Sequence, residues 1–143
     1  MKINVVNEQR KVRVHLKRVK RAAERALKRE FGGLAGCELN LLITDNHRIA
    51  MLHWKHMKIK GPTDVMAFGM REGKKIAGSR SVFGDVVLSV ETAKQMAREL
   101  GIGIQQEVER YAVHGILHLL GYRDDTPARA KVMHERQERI LLN

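Results

Sequence analysis

Two histidines four positions apart, His114 and His118, lie in an apolar stretch that predicts a helix. Residues at this spacing differ by about 40° around an α-helix and by about 6 Å along it, so both imidazoles share one face and can reach one metal ion. Gly121 follows three residues later and can adopt the left-handed conformation that ends a helix. The chain can then turn back and bring Asp124 to the same ion. Two imidazoles and one carboxylate leave a position open for water, which is typical of a catalytic zinc site rather than a structural one.

The histidine pair has two other interpretations. Many helices carry two histidines at this spacing by chance, and both can simply be buried in a helix core. The ligand arrangement also resembles that of zinc peptidases with the pattern His-Glu-x-x-His, in which the glutamate is the general base. The residue after His114 is Gly115, so the peptidase base is missing and ordinary proteolysis is disfavoured. The glycine stop and the acid that follows it favour metal binding over a buried pair.

The charge of the chain points to a polyanionic partner. Its 143 residues include 27 Lys and Arg against 16 Asp and Glu, a formal net charge of +11. Nucleic acid is the favoured partner; an anionic membrane surface is a weaker alternative, and the charge can also serve solubility alone. Aromatic residues make up only 4% of the chain, so a base-stacking platform is not expected and phosphate contacts should dominate RNA binding. Trp54 is interpreted as a core residue. Glu109, five residues before His114, is off the ligand face of the helix and is interpreted as a surface residue.

Cysteine use and hydropathy indicate a cytoplasmic protein. The single cysteine, Cys37, excludes an intramolecular disulfide and suits a reducing compartment. The first seven residues contain no signal-peptide apolar region, and no uncharged apolar run approaches the roughly 18 residues that a membrane span needs. We therefore expect a soluble cytoplasmic protein that does not bind membranes.

The apolar pattern predicts an α+β fold, with a single domain at 1–143 and a four-stranded mixed sheet packed with about five helices. Strands are expected at 1–7, 38–44, 64–68 and 82–90. Helices are expected at 13–30, from a cap at 45 or 46 to about 57, at 91–100, at 105–120, and from Pro127 with Thr126 as its cap. Residues 69–81 read as a loop. The first helix carries eight cations on the face opposite its apolar stripe, and these either contact RNA or the ribosome or form a solvated surface.

Residues 114–124 read HGILHLLGYRD, which resembles the signature HGxLHLxGYDH of the YbeY family. Residues 62–68 read PTDVMAF, similar to the family's PTDVLSF, and residues 84–93 read GDVVLSVETA, similar to its GDIxIS strand and helix start. Met133, Gln137, Ile140 and Leu141 resemble the family's C-terminal helix. The resemblance covers roughly residues 38–142, and the succession of motifs makes it specific.

The resemblance implies a metal-dependent, single-strand-directed endoribonuclease of ribosomal RNA maturation and ribosome quality control. It implies one Zn²⁺ per chain, and ribosomal RNA and the small ribosomal subunit as partners. Thr63 and Asp64 would line the substrate cleft, although they can also simply cap a turn. Asp85 could likewise line the cleft, or it could be a buried turn acid between strands. The rival functions are a non-catalytic ribosome-associated RNA-binding protein and a zinc metallopeptidase-like hydrolase.

The chain departs from the family pattern at two places. The family's Asp-His after Gly-Tyr is Arg123-Asp124 here, so Asp124 would replace histidine as the third ligand, with Asp125 and then His134 as substitutes. Arg123, beside that ligand, could offset charge on the reacting phosphate. The family often carries an arginine about six residues before its Thr-Asp pair, where this chain has Met57. Lys58 or His56 could supply the positive charge and contact substrate, but neither reproduces a bidentate guanidinium.

Overall fold

The computed structural model describes residues 2–32, 36–69 and 82–142. The expected loop at 69–81 therefore lies, apart from Gly69, outside the described residues. Within these ranges the elements follow one another as β1 (Lys2–Asn7), α1 (Leu16–Phe31), β2 (Cys37–Thr44), α2 (Asn46–Met57), β3 (Val65–Phe68), β4 (Val82–Ser89), α3 (Val90–Leu100), α4 (Ile104–Leu119) and α5 (Pro127–Leu141). The predicted α+β class, with four strands and five helices, is confirmed for this part of the chain.

The four strands form one mixed sheet with the order β1-β2-β4-β3. Strands β1, β2 and β4 are parallel, and β3 runs antiparallel to β4 with Val65 opposite Leu88 and Phe68 opposite Asp85. β3 is therefore an edge strand, and α4 packs against both β3 and β4. This placement brings the start of β3 close to the face of α4 that carries the two histidines.

Each face of the sheet is covered differently. Leu39, Leu41 and Ile43 alternate along β2 and pack into the main core, beneath α1 and α4. A smaller cluster of Ile49, Met66 and Val87 forms where α2 covers part of the opposite face. Among the described helices, none is both long enough and apolar enough to cross a bilayer.

Helix α4 lies at the centre of the helical layer, where α1, α3 and α5 all pack against it. Its approach to the sheet depends on two glycines. A Cβ at Gly115 would lie 2.5 Å from Cγ1 of Val86, and a Cβ at Gly84 would lie 2.7 Å from both terminal carbons of Leu119. Side chains at these positions would push α4 away from β4. The two glycines therefore allow the short distance between β4 and the helix that carries the histidines.

Helix α1 begins three residues later than the sequence pattern predicts. The buried side chain of Gln9 accepts the backbone N–H groups of Lys11 and Val12, and its amide donates to the Val12 carbonyl. These bonds hold the segment in a turn that competes with helix. Val12 lies before the helix and packs on the main core from there.

Two predictions about individual side chains are wrong. Trp54 was interpreted as core, but it is 48% exposed, because α2 buries only the stripe that contains Ile49. Glu109 was interpreted as a surface residue, but it is buried at 8% exposure beneath α1. It accepts a hydrogen bond from Gln105 at 2.9 Å and lies 3.4 Å from the guanidinium of Arg18.

Candidate metal centre

Three potential ligand atoms converge at the end of α4. The Nε2 atoms of His114 and His118 are 3.1 Å apart, and each lies 3.5 Å from Oδ2 of Asp124. Both imidazoles are half-buried, and the carboxylate is exposed at the rim. The structure thus brings together the three residues that the sequence predicted as a ligand set.

The turn that returns Asp124 to the histidines is a Schellman motif. Gly121 has φ +102°, and its N–H donates to the carbonyl of His118 at 3.0 Å. The N–H of Tyr122 donates to the carbonyl of Leu117, also at 3.0 Å. This pair of bonds ends the helix and reverses the chain within three residues. The proposed role of Gly121 as the helix stop is therefore confirmed.

The hydrogen bonds of the other ring nitrogens fix the histidine tautomers. Nδ1 of His118 lies 3.1 Å from the backbone carbonyl of Tyr122, which can only accept, so that nitrogen carries the proton. Nδ1 of His114 donates to Oε1 of Gln137 at 2.8 Å, and Nε2 of Gln137 donates to Glu138 at 3.2 Å. With both Nδ1 atoms protonated, both Nε2 atoms are free to act as ligands.

The spacing of these atoms fits a tetrahedral metal ion. Two Nε2 lone pairs that face each other at 3.1 Å repel unless a cation or proton lies between them. Ligand atoms about 2.0–2.2 Å from a tetrahedral zinc ion lie about 3.3–3.6 Å from one another. The observed separation of 3.1 Å between the two nitrogens lies just below that range, and the two separations of 3.5 Å from the carboxylate oxygen lie within it. The donor set of two imidazoles and one carboxylate therefore suits such an ion and leaves a fourth position for water.

The two substitute ligands lie elsewhere. The carboxylate of Asp125 is held by Arg129, with both of its oxygens 3.0 Å from Nη1, and this contact lowers the pKa of Asp125. His134 lies on α5 and lines a cavity that His114 and Asp124 also border, but it is not among the three residues whose ligand atoms converge. The predicted catalytic residue Arg123 is exposed, and its Nη2 is 3.7 Å from Asp125. The guanidinium of Arg123 thus lies on the loop that carries Asp124.

The predicted substrate residues are divided between two places. Asp64 lines the cavity beside His114, and its carboxylate accepts the hydroxyl of Thr63 at 3.2 Å and the N–H of Val65 at 2.7 Å. Lys58, by contrast, lies at the exposed end of α2 with Nζ 5.4 Å above the ring of Trp54.

Asp85 was considered either as a substrate-lining residue or as a buried turn acid. It is an exposed residue within β4 that accepts a hydrogen bond from Asn40 at 2.9 Å, so the buried-turn interpretation is wrong.

Sequence reasoning gave no role to three groups on the histidine face of α4. Glu107, Arg110 and Tyr111 precede His114 at spacings of seven, four and three residues, which place them on the same face of the helix. Glu107 is buried, and burial raises the pKa of its carboxyl group, an effect that the nearby Arg110 partly offsets. Helical periodicity extended backwards from His114 is the signal that could have found them.

The fold and site define an α+β protein with a candidate metal centre on a helix at the edge of a mixed sheet. A sequence profile of the family Endoribonuclease YbeY matches residues 4–143. The chain belongs to this family.

Curated relatives support the assignment. The Endoribonuclease YbeY of Pelotomaculum thermopropionicum is 38% identical over 123 residues, which cover 85% of this chain and 80% of the relative. That of Aquifex aeolicus is 41% identical over 121 residues, covering 85% and 77%. That of Petrotoga mobilis is 35% identical over 142 residues, covering 99% and 94%.

A solved structure supports the fold. The solution structure of TM1509 from Thermotoga maritima matches with a TM-score of 0.66 and 24% identity, over 97% of this chain and 86% of that one. At this identity the similarity concerns the fold alone.

Proposed function

We propose that this chain, an endoribonuclease by family, cuts single-stranded ribosomal RNA with one zinc ion held by His114, His118 and Asp124. The observation that carries the proposal is the convergence of three potential ligand atoms within 3.5 Å of one another. The Nδ1 atom of each histidine donates its proton to an oxygen acceptor. These hydrogen bonds orient both Nε2 atoms toward the ligand position without a bound ion.

A bound zinc ion would supply a water ligand of lowered pKa and a Lewis acid for a phosphate oxygen. The chain's own residues would place the RNA beside it. Arg123, on the loop next to Asp124, is exposed and able to swing toward a phosphate and offset its charge. Asp64, held by Thr63 and by the Val65 N–H, would line the opposite side of the cleft.

Lys58 would contribute at a distance from the ligands, since its ammonium group lies over Trp54 on the outer side of α2. The proposed contact there is a long-range attraction for the phosphate backbone rather than a clamp on the phosphate being cut. Lys58 therefore does not replace the guanidinium missing at Met57 with a fixed group, whereas the ring of His56 lies 4.7 Å from that of Phe68.

The net charge of +11 supports an RNA partner. Lys17, Lys20, Arg21 and Lys28 are exposed along α1. The end of α1 also reaches the metal loop, since the Tyr122 hydroxyl donates to Glu30 at 3.0 Å. A strand of RNA could therefore run from the metal loop along α1. The partners would be ribosomal RNA and the small ribosomal subunit, and the place of action the cytoplasm.

One experiment separates this function from its two rivals. Purified protein is incubated with single-stranded ribosomal RNA and, separately, with casein, each with and without a chelator. Chelator-sensitive cleavage of RNA alone is expected. Casein cleavage would instead favour a metallopeptidase, a function that Gly115 opposes because its position beside Val86 leaves no room for the peptidase's glutamate. RNA binding without cleavage would favour the non-catalytic RNA-binding protein.

A further inference from the structure

A cavity of about 400 Å³ opens beside the metal centre, between α3, α4 and α5. His114 and Asp124 form part of its wall, so the cavity and the candidate metal centre are continuous. The proposed zinc chemistry uses only the end of this space. Its volume is within the range of about 300–1,000 Å³ that is usual for small-molecule sites.

Most of the cavity wall is apolar. Met96 and Leu100 contribute from α3, where they are 37% and 53% exposed, and Met133 contributes from α5, where it is 1% exposed. The ring of Tyr111 lies on the α4 side. Thioether, aliphatic and aromatic surfaces of this kind suit a flat, uncharged ring.

Two carboxylates in the cavity wall, beside Arg110, His134 and Gln137, disfavour a phosphate there. Glu107 is buried, and its Oε1 lies 3.6 Å from Nη1 of Arg110, whose guanidinium is also held by Glu138. Asp64 adds a second carboxylate at the cavity wall. Carboxylates repel a phosphate but accept hydrogen bonds from N–H groups, and acidic side chains accept in this way from the amino group of cytosine.

The distance to the metal centre fits one nucleotide. Glu107 and His114 are seven residues apart on one face of α4, which corresponds to about 10 Å along the helix. This is comparable to the reach of a nucleotide from its phosphate to the far edge of its base. A phosphate at the histidines would therefore leave a neighbouring base within reach of Glu107.

We propose that this cavity binds an RNA base with an exocyclic amino group, on a nucleotide adjacent to the phosphate that is cut. The inference rests on the proposed RNA cleavage and names the specificity of that site. Adenine, cytosine and guanine are accepted through an amino N–H donated to Glu107, whereas uracil offers no amino group. The RNA cut at this site is then chosen partly by sequence, although the phosphate contacts of α1 are sequence-independent.

Methionine methyl NMR tests base binding without any cleavage. Protein labelled at its methionine methyl groups is titrated with cytidine and with uridine, which have the same ring size and carry no phosphate. The Met96 and Met133 signals should shift, and cytidine should bind about fivefold or more tightly than uridine. The Met51 and Met57 signals should not move, since these residues lie on α2, away from the cavity.

Two variants report whether the cavity is responsible. Leu100→Trp fills it from an exposed helix end and should weaken cytidine binding about tenfold or more. Leu142→Trp, at a residue 85% exposed near the chain end, is the matched control and should bind as the unmodified protein does. With a randomised single-stranded RNA, uridine should be depleted at one position next to the mapped cuts, and Leu100→Trp should remove that depletion.

The outcomes distinguish this inference from the proposed function. Absence of Met96 and Met133 shifts at millimolar nucleoside, or equal affinity for cytidine and uridine, overturns base recognition even if RNA is cut. Shifts with N-acetyl-leucinamide but with neither nucleoside would assign the cavity to a peptide side chain. If the protein binds cytidine selectively but cuts no RNA, the base site is supported and the proposed nuclease function is wrong.

Discussion

Gly115 lies on the side chain of Val86 so closely that a Cβ there would be 2.5 Å from Val86 Cγ1. This contact lets α4 pack closely on β4 and so positions the two histidines relative to β3. It also has a consequence for the reaction class, because the same position carries the catalytic glutamate in His-Glu-x-x-His peptidases. In this fold the residue after His114 faces the core, where a carboxylate has no room.

We expect Gly115→Ala to destabilise the protein. Alanine gains about 1 kcal/mol in helix propensity over glycine, but overpacking in a filled core costs about 1–3 kcal/mol, and Val86 is a stiff side chain. Urea unfolding should show a net loss of about 1 kcal/mol or more. Adding Val86→Ala should make the loss of the double variant smaller than the sum of the single losses.

Gly69→Ala is the control for this prediction, since a Cβ at Gly69 meets nothing within 4 Å and its φ lies outside the left-handed region. Equal stability of Gly115→Ala and the unmodified protein would show that α4 can shift without cost. The contact between Gly115 and Val86 would then not determine how closely α4 approaches β4.

Gln137 should act as a positioning residue for His114. Its Oε1 accepts the Nδ1 proton at 2.8 Å and thereby directs Nε2 toward the other ligands. Loss of such a partner usually lowers metal affinity about 10–100-fold. We expect that decrease for Gln137→Leu in a zinc competition titration, and recovery with Gln137→Glu, which retains an acceptor oxygen. Gln95→Leu, on the exposed side of α3, should leave zinc affinity unchanged.

The sequence was sufficient to predict the parts of the site that depend on local spacing. The helical period places His114 beside His118, and a glycine three residues later permits the left-handed turn that returns Asp124. Alternation of apolar residues identified all four strands to within about two residues, because each buries one or both faces in the core.

Contacts between distant segments could not be predicted in this way. Gln137 is 23 residues from His114, and nothing in its own neighbourhood indicates that the two side chains meet. The same holds for Glu109, which is buried because α1 crosses over it, and for the start of α1, which is delayed by bonds to Gln9. Trp54 was misplaced for a different reason: large aromatics are usually buried, but only one stripe of α2 meets the sheet.

The cations of α1 should contribute to the salt dependence of RNA binding. Arg18 is paired with Glu109, and Arg25 donates to the carbonyl of Ile140, so both have roles within the protein. Lys17, Lys20 and Arg21 are exposed and give a cleaner test. Each lost contact with a single-strand phosphate should reduce the slope of log affinity against log salt by about 0.7, or about 2 for the triple glutamine variant.

The matched control for the α1 variant is the triple glutamine change at Lys55, Lys94 and Arg98, which removes the same charge from exposed positions on α2 and α3. It should leave the slope nearly unchanged. Equal effects of the two variants would mean that only net charge matters and that α1 is a solvated surface.

Asp45 should make the stability of α2 depend on pH. Its carboxylate accepts the backbone N–H of Arg48 at 2.9 Å, and this bond, with help from Lys11, lowers its pKa below the ordinary 3.8. A lowered pKa stabilises the fold above pH 3.8, and that stabilisation is lost as the pH falls through the folded-state value. Asp45→Ala should cost about 1 kcal/mol at neutral pH. The gap should close in acid, as measured by denaturant unfolding across pH, whereas Asp45→Asn, which keeps a capping oxygen, should lose little.

Asp124 occupies the position of the third ligand, where the family pattern has histidine. If Asp124 completes the metal centre, Asp124→His should keep zinc, since histidine is also a good zinc ligand. Asp124→Asn keeps the size but loses the anion, and Asp124→Ala leaves only the two histidines. Zinc retention should therefore fall from Asp or His, through Asn, to Ala, and His118→Ala should lose the ion entirely in elemental analysis.

Thermal unfolding gives an independent reading of the same series, because an ion that binds only the folded state must raise its stability by mass action. The zinc-dependent rise in Tm should follow the order of retention, with Asp125→Asn as a control that behaves like the unmodified protein, since Asp125 is committed to Arg129. Identical melting of all variants with and without zinc would show that this chain has no functional metal centre. The convergence of two imidazoles and a carboxylate at 3.1–3.5 Å argues for the opposite result.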